Sequence, residues 1–106
     1  MTPEQMIKRM LRHPKIGSVA VVATLPYPDE PILFYARALP SNACAQEMAQ
    51  AKVRAMDLAE MALGTYEMLL TRMLMSPLAV GEASTIEGAI AALREKIREK
   101  HPDPSC

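Results

Sequence analysis

The stretch IGSVAVVATLPYPDEPILFYARALP, residues 16–40, decides how the rest of the chain is read. Ile16 to Leu25 is rich in Val and Ala, with β-branched residues in succession, and predicts a strand. Pro26, Pro28 and Pro31 bar regular structure, so Pro26 to Pro31 is a turn. Ile32 to Leu39 predicts a second strand, which Pro40 closes. The two form a β-hairpin with a stiff, longer loop. A buried helix over the first run is the alternative, and Gly17 and the valines speak against it.

Working outward, Thr2-Pro3-Glu4-Gln5 is a helix start: Thr2 caps, Pro3 suits the first helical position and Gln5 completes a capping box. Met6, Ile7, Met10 and Leu11 share one face of this helix, and Pro14 ends it near Arg12 or His13. On the other side of the hairpin, Ser41 or Asn42 caps a long helix. No proline occurs between Pro40 and Pro77. Cys44, Ala45, Met48, Ala51, Ala55, Leu58, Ala59, Ala62, Tyr66, Leu69, Leu70 and Met73 keep one helical phase straight through Gly64. That phase predicts a single helix of about nine turns, about 50 Å long. Pro77 to Ala83 reads as a linker. Ser84 with Glu87 forms a capping box for a last helix, whose stripe is Ile86, Ala89, Ile90, Leu93 and Ile97. Arg98 and Lys100 complement its dipole, His101-Pro102 stops it, and residues 102–106 are a frayed tail. The expectation is one α+β domain over residues 1–106, in the order α-β-β-α-α.

Composition narrows the function classes. Half of the 106 residues are hydrophobic but only 4% are aromatic, and nine are Met, so the core is built from small and flexible side chains. Twelve Lys and Arg balance twelve Asp and Glu, which disfavours a dedicated nucleic-acid module. The positive charges gather early: residues 1–40 carry five Lys or Arg against three Asp or Glu. Cys44 and Cys106 form no CxxC and no zinc spacing, so neither a metal nor a disulfide framework is expected. No apolar leader or bilayer-length run is present, which makes the cytoplasm the default location.

Two features predict self-association. The strands are apolar on both faces, with Val19, Val21, Ala23 and Leu25 on one and Ile16, Ala20 and Val22 on the other. One helix layer from the same chain covers a single face, and open strand edges invite pairing. In the second half of the long helix, Met61, Met68 and Met75 recur every seven residues opposite the main stripe, so the helix is apolar nearly all round. These residues, with Val19 and Val21, are the expected interface, and a symmetric dimer is the commonest form. The competing arrangement packs the last helix over the Met stripe within one chain.

Candidate chemistry is sparse. Cys44 lies in the first turn of a helix, where the dipole lowers a thiol pKa, but it also begins the apolar stripe and reads as a core residue. His13 and His101 end helices and read as caps. Arg37, in an otherwise apolar strand beside Tyr35, either meets an acid such as Glu60 or faces a pocket for an anionic or planar ligand. Lys8, Arg9, Arg12 and Lys15 make a basic patch, and Ser84 and Thr85 present helix N–H groups to an anion. The expected function is therefore non-enzymatic: a homo-oligomer that binds a macromolecular partner. The alternative is a small anionic ligand, such as a nucleotide, held at a subunit interface by Arg37, Tyr35, Lys8, Arg9, Arg12, Ser84 and Thr85. Nucleic-acid binding through the repeated basic patch comes next. No cofactor, metal site or catalytic residue is indicated.

Overall fold

A single helix clamped onto three antiparallel strands organises the chain. The computed structural model describes residues 1–56, 64–103 and 105. Its elements are α1 (Pro3–Met10), β1 (Ile16–Thr24), β2 (Leu33–Pro40), α2 (Asn42–Ala55), α3 (Thr65–Met75), β3 (Ala79–Ala83) and α4 (Ile86–Lys100). The expected helix, hairpin and following helices of an α+β chain are all present. Thr2 caps α1 by accepting from the Gln5 N–H at 3.2 Å, and Gln5 Oε1 accepts from the Thr2 N–H at 3.0 Å. The proline-rich loop turns where the Glu30 N–H donates to the Tyr27 carbonyl at 3.1 Å.

Strand order is β1-β2-β3, with β2 in the centre and both neighbours antiparallel to it. Val19 pairs with Ala38, and Val21 with Ala36. Ala36 and Ala38 are in turn opposite Gly81 and Ala79 of β3. This row forms the covered face of the sheet. α4 lies across β3 and β2, and α1 packs beside it. The resulting core joins Met10, Ile16, Ala36, Ala38, Ala79, Ala89, Ile90, Leu93 and Ile97, with Val19, Val21 and Phe34 packed against it. The strands offer this face mainly Ala and Gly, so the helix backbone comes very close. A Cβ at Gly81 would collide with the backbone nitrogen of Leu93 and the carbonyl of Ala89.

Three local expectations are corrected. Residues 77–83 are not a plain linker, because Ala79–Ala83 forms β3. The Leu78 N–H donates to the Ala38 carbonyl at 2.8 Å and leads the segment onto the centre strand. The helix after Pro40 is not continuous. α2 ends at Ala55, where Met56 turns extended at ψ 145°, and α3 begins at Gly64, in the left-handed region at φ 85°. Apolar periodicity cannot tell one helix from two that keep the same phase. Residues 57–63, which the continuous helix was expected to cross, lie outside the described residues. Finally, Thr85 rather than Ser84 caps α4, its side chain accepting from the Gly88 N–H at 3.0 Å.

α2 and α3 pack on each other as an arm, and only α3 makes more than marginal contact with the sheet, at β2. The radius of gyration is 16.4 Å with extents of 51 × 32 × 19 Å. A compact domain of 100 residues has about 13 Å, so the shape is drawn out.

The packing at Gly81 sets a clear ranking of glycine substitutions. Gly81→Ala is expected to cost about 3 kcal/mol, the upper range for forcing atoms into a filled core. Gly64→Ala meets no neighbour within 4 Å among the described residues and is expected to cost about 1–2 kcal/mol through its left-handed backbone. Urea unfolding of both variants checks the order.

Candidate functional site

The helix layer covers one face of the sheet and leaves the other as a candidate surface. Alternation along β2 puts Leu33, Tyr35, Arg37 and Leu39 on that second face. Cross-strand register sets Arg37 between Ala20 and Val80, and Tyr35 between Val22 and Glu82. Arg37 and Val22 are exposed, and Tyr35, Leu33, Ala20 and Val80 are half-buried. Among the described residues the ion pairs are Lys8–Glu4 at 3.0 Å and Arg98–Glu95 at 3.3 Å, so Arg37 has no carboxylate partner there. Glu60, its expected alternative partner, lies outside the described residues.

The structure splits the expected ligand set. Arg37 and Tyr35 stand together on the open face, whereas α1 is packed on the covered side through Met6, Ile7 and Met10. Within one chain the sheet therefore separates Arg37 and Tyr35 from Lys8, Arg9 and Arg12. Those three line a shallow basin on α1 with Gln5. Ser84 and Thr85 are exposed at the start of α4 and line neither that basin nor the cleft described next.

The expected interface residues are also divided. Val19 and Val21 point into the chain's own core, because the register places them over Ala38 and Ala36. Ala20 and Val22 take the open face instead. Met61 lies outside the described residues. Met68 and Met75 are 59% and 75% exposed, and no residue of α3 is buried. α4 is committed to the sheet and does not pack over Met68 or Met75, which removes the intrachain alternative for these two.

Between α1 and α4 runs a cleft of about 260 Å³ that was not anticipated. Buried Met10, Ile16, Ile90 and Ile97 form its floor, and Arg9, His13, Arg94 and Arg98 stand around it. Arg94 and Arg98 are one helical turn apart on α4. Their i,i+4 spacing beside Ile90 and Ile97 is visible in the sequence; the crossing that sets them opposite Arg9 is not.

The remaining polar groups are locally engaged. The Lys15 N–H donates to His13 Nδ1 at 3.2 Å, so the ring proton of neutral His13 sits on Nε2. His101 is the C-cap of α4, its N–H donating to the Ile97 carbonyl at 2.8 Å, and its Nε2 donates to the Leu78 carbonyl at 3.3 Å, which ties the end of α4 to the entry of β3. The Ser105 N–H donates to Asp103 Oδ1 at 3.0 Å and holds that carboxyl below its ordinary value. No three metal-binding side chains meet among the described residues, and none of their helices is long and apolar enough to cross a membrane.

Cys44 is buried, as its place in the apolar stripe implies, and its N–H donates to Ser41 Oγ at 3.2 Å. It is nevertheless disulfide-bonded, against the expectation of no disulfide. Spacing along a chain exposes metal and redox motifs but not which cysteines meet in space. Cys106 lies outside the described residues. The Cys44 Sγ sits 3.9 Å from the Pro14 carbonyl; an oxidised sulfur has no proton to donate, so this is a packing contact.

No protein-family model, curated protein or solved structure matches the chain.

Two variants separate structural from surface roles. Arg37→Ala is expected to change folding stability by no more than about 0.5 kcal/mol, as for other exposed positions; a loss above about 2 kcal/mol in urea would reveal a structural partner. Cys44→Ala is expected to cost about 2–4 kcal/mol under oxidising conditions, the usual worth of a disulfide. With a thiol reductant present, the variant and the unaltered protein should melt much closer together in calorimetry.

Proposed function

We propose that the chain acts by binding rather than by catalysis, as a homo-oligomer in which a second copy covers the α2–α3 arm. The observation that carries this reading is α3 itself. It is an 11-residue helix with no buried residue, in a chain of drawn-out shape. Met68 and Met75 are presented to solvent on the same helix. Leaving large apolar side chains exposed forfeits about 1.5–3 kcal/mol for each one that burial would otherwise stabilise. Met also adapts its shape to irregular partners. Symmetric pairing of two arms would bury the stripe on both copies at once.

The open sheet face supports the same reading, since Val22, Tyr35, Leu33 and Val80 give it apolar character around Arg37. In the assembled protein this face, or α1 with its basic basin, is the surface offered to a macromolecular partner. A compartment follows less directly. The cytoplasm is the default for the sequence, but a disulfide at Cys44 supports an oxidising setting.

The oligomer is tested by light scattering coupled to size exclusion at micromolar concentration. The expected result is a mass at least twice the 11.7 kDa of one chain. Met68→Glu is expected to remain folded by circular dichroism and to shift the protein to monomer, because its side chain is outside the monomer core. A monomeric unaltered chain overturns the proposal, as does a Met68→Glu variant that keeps the full oligomer together with a Met75→Glu variant that does the same.

A further inference from the structure

The cleft between α1 and α4 combines two properties. Its floor is apolar and deep in the core: Met10, Ile16, Ile90 and Ile97 are each less than 10% exposed. Its wall is cationic, with Arg9 and His13 contributed by the α1 side and Arg94 and Arg98 by α4. No acidic residue lines it. In a chain with equal numbers of acids and bases, three guanidinium groups have gathered on one opening. Among the described residues Arg9 and Arg94 have no ion-pair partner, and Arg98 pairs with Glu95 at 3.3 Å.

We infer that this cleft binds a small amphipathic anion, a single-chain carboxylate of medium length, with its tail on the isoleucine floor and its head group between Arg9 and Arg94. Guanidinium groups suit a carboxylate because their forked N–H donors match its two oxygens. His13 Nδ1 accepts from the Lys15 N–H, which leaves the Nε2–H of the ring as a further donor at the rim. The cleft, about 260 Å³ with buried Met10, Ile16, Ile90 and Ile97 at its floor, takes the tail of a small single-chain anion such as octanoate. The plain alternative is that the Arg side chains lay their methylene stems over the floor and keep their charges in water, with nothing bound.

The inference is independent of self-association, because neither the arm nor the open sheet face lines the cleft. It is tested on the full chain by titrating ¹⁵N-labelled protein with octanoate, with octanol and with inorganic phosphate. Octanoate is expected to shift the amides of Arg9, Met10, Ile90, Arg94 and Ile97 in a saturable way, with octanol and phosphate each binding at least tenfold more weakly. Arg94→Gln, at an exposed position, is expected to leave the melting temperature unchanged and to weaken octanoate tenfold to a hundredfold, the usual cost of losing a charged hydrogen-bond partner. Arg9→Gln should do the same. Equal binding of octanol, equal binding of phosphate, an absence of shifts with octanoate, or undiminished octanoate binding by both Arg variants overturns the assignment.

Discussion

The fold depends on how closely α4 can approach the sheet. Helices normally rest on a carpet of branched side chains, but here Ala36, Ala38, Ala79 and Gly81 leave the strands almost bare on that face. The helix answers with the backbone of Ala89 and Leu93 at Gly81, and the side chains of Ala89, Ile90, Leu93 and Ile97 are buried in the core. Dispersion forces fall off steeply with distance, so a core of small residues holds only when the two layers touch. Close approach thus substitutes for the aromatic volume that the composition lacks. It also commits α4 to the sheet and α1, so that α3 has only α2 and the edge of its contact with β2 to lie on.

Much of this was legible in the residues. The hairpin could be read because three prolines isolate its loop and β-branched residues mark its strands. The caps at Thr2 and Ser41 follow from hydroxyl chemistry at helix starts. β3 was hidden because Ala79-Val80-Gly81-Glu82-Ala83 has weak strand propensity. It is a strand because β2 offers it a ladder and α4 needs its small side chains, both tertiary reasons. The break after Ala55 was hidden because the helices on either side preserve one apolar phase.

The candidate surfaces were less legible than the fold, for a related reason. Alternation along β2 correctly paired Arg37 with Tyr35 on one face. Which face α1 would occupy was not encoded in that alternation, and within one chain the sheet stands between the basic helix and Arg37. The α1–α4 cleft arises from residues about eighty positions apart, and no local pattern announces such a meeting. Linear spacing was equally silent about the oxidation state of Cys44.

The position of the arm within the topology has its own consequence. β2 and β3 are neighbours in the sheet, yet the whole of α2 and α3 is strung between them. Its two ends meet at the strand pair, where the Leu78 N–H reaches the Ala38 carbonyl. In topological terms the arm is a long excursion from a hairpin. Closing such an excursion becomes only about 0.6 kcal/mol more costly for each doubling of its length. The body formed by α1, the sheet and α4 is therefore nearly indifferent to how long the arm is. Length, sequence and recognition surface can drift in the arm while the clamped sheet beneath it stays the same.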